Sequence, residues 1–211
     1  PYHNFTHAVD VLQYASFCVD QCKLYEVYTK QELFVLFIAI ICHDIGHNGF
    51  TNLFNKLYKT PMGILFADRG VMETFHSCLG VCLINYQHPG IFDSFNEDEL
   101  KGVWEMFIEL ILATDLAKHN EFLTRIKKVL DEGGFDLKKQ QHRLLMLQTL
   151  IKGSDISSAT RTFELADEWT DILTGEWFRQ GRLEKQMGIP YTANYNDESN
   201  FDKPRSQTGF Y

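Results

Sequence analysis

The chain has 211 residues, 45% of them hydrophobic, and one domain of that length buries a sizeable core without staples. Twenty Lys and Arg against 28 Asp and Glu leave a net charge of −8, which argues against a nucleic acid or an anionic membrane as partner, since both call for surplus positive charge. The longest apolar run, Leu33 to Cys42, is too short to cross a bilayer, and no charged stretch before an apolar one reads as a signal peptide. The compositional oddity is eight His in an acidic chain, five of them at His3, His7, His43, His47 and His76.

In chain order, Val9, Leu12, Ala15, Val19 and Cys22 recur at helical spacing and predict a helix over Ala8 to Val27. Gln31 to Asp44 is apolar nearly all round and predicts a fully buried helix. Val71 to Tyr86 and Glu97 to Leu130 carry further helical periods, the second as one helix or two. Lys139 to Asp155 and Thr162 to Lys185 complete the set. Pro61, Pro89, Pro190 and Pro204 fall between these segments, and Gly133-Gly134 marks another connection. The polar stretch from Thr192 to Arg205 reads as one long loop. No convincing alternating strand run appears, so the expected class is all-α, a single compact multi-helix domain over residues 1–211. Five cysteines, with Cys18/Cys22 and Cys78/Cys82 at helical spacing and no C-x-x-C knuckle, read as buried free thiols in a reducing, cytoplasmic compartment.

The histidines and acids carry the chemistry. His43-Asp44 ends the most apolar helix, where an imidazole and a carboxylate are costly unless something such as a metal ion compensates. His47 lies four residues on and shares the His43 face if the helix continues past Gly46; His3 and His7 repeat the spacing. Imidazole and carboxylate together suit zinc, iron, manganese or magnesium. Asp155, after an apolar helix, is the candidate distant ligand, unless it merely caps the next helix.

His3-Asn4-x-x-His7, His43-Asp44-x-x-His47-x-Gly49-x-x-Asn52 and Glu73-x-x-His76 follow in order. Then come Ala113-Thr114-Asp115-Leu116, Asp155-Ile156-Ser157, Glu176-Trp177-Phe178-Arg179-Gln180-Gly181 and Ser206-Gln207-Thr208-Gly209-Phe210. This register resembles the catalytic domain of class I 3′,5′-cyclic nucleotide phosphodiesterases, which share HD-type chemistry, over nearly the whole chain. The resemblance implies hydrolysis of cAMP or cGMP to the 5′-monophosphate by a hydroxide between two cations. A first ion, usually Zn²⁺, takes His7, His43, Asp44 and Asp155; a second, Mg²⁺ or Mn²⁺, takes Asp44 and waters ordered by His47, Glu73 and Thr114. By the same resemblance His3 is the general acid oriented by Glu73, and Gln207, Phe210 and Leu173 hold the base. The implied partner is a small cyclic nucleotide, with a homodimer as one option for assembly.

Several positions depart from the family pattern. Gly46 stands where an acid is common, which predicts a looser turn. Phe75 replaces a His, Ser158 an Asn and Arg182 an Asp. The helices that flank such a core are expected to be absent. The rival readings are another HD-type phosphohydrolase, which has no need of His3 or Gln207, and a degenerate nucleotide-binding regulatory domain.

Overall fold

The computed structural model describes residues 1–67 and 70–210, the side chain of Phe210 excepted. The described residues form helices and turns with no strand, as the periodicity predicts.

Helix α1 (Phe5–Gln21) begins earlier than the apolar pattern suggests because the Asn4 side chain accepts from the backbone N–H groups of Thr6 and His7. It also stops earlier; Lys23 adopts φ 51° and a 3-10 turn, Leu24–Glu26, follows. Helix α2 (Lys30–Cys42) opens on a Thr29/Glu32 capping box. Val35, Leu36, Ala39 and Ile40 are wholly buried, but Phe34 and Ile41 stay about 40% exposed, so the helix is central without being enclosed on every side.

Two short helices, α3 (Asn52–Leu57) and α4 (Pro61–Phe66), lie where no periodic segment was expected. They are too short for a hydrophobic period to register, yet Thr51 and Thr60 cap them, and Pro61 opens α4 instead of separating elements. Helix α5 (Val71–Tyr86) matches its predicted bounds. The long predicted segment divides into α6 (Glu97–Leu112), a 3-10 turn (Leu116–Lys118) and α7 (His119–Asp131). Helices α8 (Gln140–Asp155) and α9 (Phe163–Gln186) follow.

Helix α2 is flanked by α1, α5, α6 and α8. Together they bury one main core, with Phe107, Leu110, Ile111, Leu147 and Ile151 at its centre. Each such side chain contributes roughly 1.5–3 kcal/mol of burial. That apolar body sets the C-terminal ends of α2 and α8 side by side, and hence His43 near Asp155.

The polar stretch predicted as one loop is more ordered than expected. It contains a 3-10 turn, Asn194–Asn196, and the start of α10 (Lys203–Phe210). Lys203 secures that start through ion pairs with Asp167 and Asp171 on α9. All five cysteines are free as expected, but only Cys42 is buried; Cys78 and Cys82 are exposed on α5, and Cys22 is exposed just past the end of α1. Among the described residues no helix is long and apolar enough to cross a membrane.

Candidate active site

His43 is the residue that ends α2, and the helix does not continue past Gly46. Gly46 takes φ +73°, the left-handed region open to glycine at little steric cost. His47 therefore reaches the site from a turn, not from a shared helical face. The turn is not loosened either: a Cβ on Gly46 would lie 2.7 Å from Leu79 and 2.9 Å from Phe75. The two departures at 46 and 75 pack against each other. His3 likewise precedes the Asn4 cap and shares no helix with His7.

Four ligand atoms converge from three parts of the chain. His7 Nε2 lies 3.0 Å from Asp155 Oδ1 and 3.5 Å from Asp44 Oδ2; His43 Nε2 lies 3.3 and 3.2 Å from the same two oxygens. His7 and His43 are buried, and Asp44 Oδ2 is buried with no hydrogen-bond partner. His43 donates from Nδ1 to the Ile40 carbonyl at 2.7 Å, which leaves Nε2 as the side that can carry a lone pair. Burial disfavours charge on both partners, yet Asp44 and Asp155 outweigh it and hold His43 well above its usual pKa. In return His43 holds both carboxyls below the carboxylate range, against their own burial. An anionic nest that draws a proton onto a buried ring is suited to a divalent cation, which would displace that proton. The donor set and the bare Asp44 oxygen fit a metal ion.

A second group, His3, His47 and Glu176, adjoins the first. His3 Nδ1 lies 2.6 Å from Glu176 Oε1, and Glu176 Oε2 accepts from the backbone N–H of Tyr2 at 2.8 Å and of His3 at 3.2 Å. Burial opposes both charges, but the pair prevails: His3 sits above its usual pKa and Glu176 falls to about 2. The acid behind His3 is thus Glu176, not the expected Glu73. Glu73 instead accepts from Asn52 Nδ2 at 2.9 and 3.2 Å. Burial, and then Asp115, push its carboxyl upward.

His47 stacks on His3 with ring centroids 4.1 Å apart. Its Nδ1 accepts from the Gly49 N–H at 2.9 Å. Burial and the neighbouring His3 charge press it down to about 3, so it is neutral with its proton on Nε2. His76, without a sequence-level role, stacks beside His47 at 5.6 Å and donates from Nδ1 to the Ile45 carbonyl, which brings Nε2 to 3.7 Å from Asp44 Oδ1.

Thr114 is buried on the turn after α6 and donates to the Ile111 carbonyl. That turn is pinned by the buried Lys152, whose Nζ donates to the Ala113 and Asp115 carbonyls at 3.1 and 3.0 Å. Trp169 stands edge-on to Tyr2 and His7. Leu173 is half-buried on α9 and Gln207 half-buried on α10; the Phe210 side chain lies outside the described residues. Glu176 and His76 are the site residues without an assigned role at the sequence level. Both lie within quoted motifs, Glu176-Trp-Phe-Arg-Gln-Gly and Glu73-x-x-His76, and that was their only signal.

Comparison with known proteins gives a consistent picture. The family model for 3′,5′-cyclic nucleotide phosphodiesterases matches residues 2–211. The chain is 32% identical over 210 residues to the human high affinity cGMP-specific 3′,5′-cyclic phosphodiesterase 9A, covering 100% of this chain and 35% of that protein. It is 32% identical over 209 residues to the Dictyostelium discoideum 3′,5′-cyclic-nucleotide phosphodiesterase regA, covering 99% of this chain and 26% of that one. The solved structure of LmjPDEB1 in complex with IBMX superposes with a TM-score of 0.93 at 33% identity, covering 100% of this chain and 63% of the other. The chain thus spans about a third or less of the length of these curated relatives.

Proposed function

The chain belongs to the 3′,5′-cyclic nucleotide phosphodiesterase family, and from that premise we propose that it hydrolyses a 3′,5′-cyclic nucleotide to the nucleoside 5′-monophosphate. The observation that carries this reading is the bare, buried Asp44 oxygen among His7, His43 and Asp155, beside a His3–Glu176 pair. His7, His43, Asp44 and Asp155 would hold a zinc ion, and Asp44 would also reach a magnesium or manganese ion. When bound, such cations supply the charge that polarises a phosphoryl group and activates water. His47, Glu73 and Thr114 would order the water around the second ion; His47 offers its Nε2–H for that purpose.

His3 serves as the proton donor to the O3′ leaving group. Glu176 engages Nδ1, which leaves Nε2 to deliver the proton. The carboxylate also favours the charged ring, so the proton is present when it is needed. Glu176 is itself set by two backbone N–H groups, and the acid is therefore oriented by the chain's own fold. Leu173, Gln207 and Phe210 would flank the purine. The phosphodiesterase 9A relatives are named as cGMP-specific, which makes cGMP the first substrate to test and cAMP the second. The free thiols suit an intracellular site of action.

The test is direct. The purified chain with Mg²⁺ or Mn²⁺ is given cGMP and cAMP separately, and the monophosphate is measured by chromatography. Turnover of either supports the reading; turnover of neither by protein shown to contain metal overturns it.

A further inference from the structure

Helix α9 differs from the other long helices in what it buries: Thr170, Thr174, Glu176, Gln180, Gly181 and Glu184, with no large apolar side chain among them. Glu176, Gln180 and Glu184 recur every four residues and so share one face. The first engages His3; the other two form a separate network outside the chemistry described above.

Glu184 is fully buried. Its carboxylate accepts from Gln180 Nε2 at 3.0 Å, from the Thr192 hydroxyl at 2.6 Å and from Asn196 Nδ2 at 3.2 Å. The Thr192 oxygen in turn accepts from Gln180 Nε2 at 2.8 Å and Asn196 Nδ2 at 3.1 Å. On its other side Gln180 Oε1 accepts from the Thr51 backbone N–H at 2.9 Å. Thr51 caps α3 and lies four residues after His47. Gly181 lets the 192–196 segment lie flat on the helix, since a Cβ there would stand 1.9 Å from the Asn196 carbonyl oxygen.

A buried carboxylate met only by neutral donors is an expensive way to pack a helix. An apolar residue would fill the space at lower cost. What a satisfied polar network supplies instead is one defined arrangement of the segments it joins. Here those segments are the His47 turn, the helix carrying Glu176, and the stretch that runs on to Gln207.

We propose that Glu184 is a positioning residue: through Gln180 and the 192–196 segment it locks the His47 turn and the chain leading to Gln207 onto the Glu176 helix as one body. The kinetic part rests on the phosphodiesterase reading above; the exchange part does not.

The experiment compares the wild-type chain with Glu184→Leu and Glu184→Gln. Amide hydrogen exchange of residues 47–52 and 190–200 is followed without nucleotide, alongside kcat and KM for cyclic nucleotide. Losing the acceptor in Glu184→Leu should speed exchange about 10-fold in both segments together, leaving α2 and α6 unchanged. It should raise KM by a similar factor while kcat falls by less, a split expected when substrate seating is loosened but the His7, His43, Asp44 and Asp155 cluster and the His3–Glu176 pair lie outside the two segments. Glu184→Gln should stay close to wild type, because Asn196 Oδ1 has no partner and can turn toward the new amide. Wild-type exchange in 47–52 with wild-type KM in the Leu variant, or a Gln variant indistinguishable from Leu, overturns the proposal. If Glu184→Leu does not fold, Thr192→Val at a half-buried position carries the same test. It should raise KM and speed exchange in both segments about 3-fold; unchanged values overturn the proposal. A wild-type chain that turns over no cyclic nucleotide defeats the functional reading alone, because the exchange result is read without substrate.

Discussion

Two groups of histidines and acids lie against each other in this molecule, and their hydrogen bonds make them chemically different. In the group of His7, His43, Asp44 and Asp155, ring nitrogens and carboxylate oxygens face a common point, and one oxygen is left bare. In the group of His3, His47 and Glu176 each ring has a partner on Nδ1. His3 engages Glu176, and His47 takes a backbone N–H on Nδ1 and so keeps its proton on Nε2. The same residue types at similar spacing thus yield a His/Asp cluster compatible with a cation in one place and an imidazole–carboxylate pair in the other. Side-chain identity alone does not decide between them; the partner on the far ring nitrogen does.

The largest effect should come from the nest. Asp155→Ala is expected to abolish bound metal and to lower activity by roughly 10³-fold, since the charge at stake is several kcal/mol. Metal analysis on the folded variant checks this, and an active variant would refute the ligand assignment. His3→Gln should keep the metal while lowering kcat by about 10²–10⁴-fold, the usual contribution of a general acid. Metal loss in that variant would erase the distinction between the groups.

Glu176→Gln probes the pair through pH. Glu176 raises the His3 pKa, so the charged acid is present below that pKa and lost as pH rises through it. Without the carboxylate the ring releases its proton sooner, and the basic limb of kcat/KM should move to lower pH. Glu73→Gln, lacking contact with His3, should leave that limb in place. A pH–rate profile of the two variants decides between them.

The smallest effect concerns the turn that separates the groups. Gly46→Ala should lower stability by about 2–4 kcal/mol, combining a left-handed backbone penalty with overpacking against Phe75 and Leu79. Thermal unfolding measures it, and an unchanged Tm would show that the Phe75 and Leu79 side chains give way.

Much of the fold was legible because it is local. The bounds of α5 and the ends of α8 and α9 follow from apolar period and from the Pro and Gly between segments. The short helices α3 and α4 were not legible, since six residues leave no period to read. For the site, the ordered motifs named His3, His7, His43, Asp44 and Asp155 as belonging together. They misassigned the acid behind His3, because Glu73 and Glu176 are equally plausible carboxylates when only order along the chain is seen.

The sequence by itself therefore determined the helical class, the family and the set of side chains available for chemistry, all of which depend on residue type and near-neighbour spacing. Only the tertiary structure decided who partners whom. His3 and Glu176 are 173 residues apart, His7 and Asp155 are 148, and Gln180 reaches Thr51 across 129. Contacts at such separations are set by how helices pack around the α2 core. Hydrogen bonding is short-ranged and directional, so the five histidines of the site acquire distinct partners only once the chain is folded.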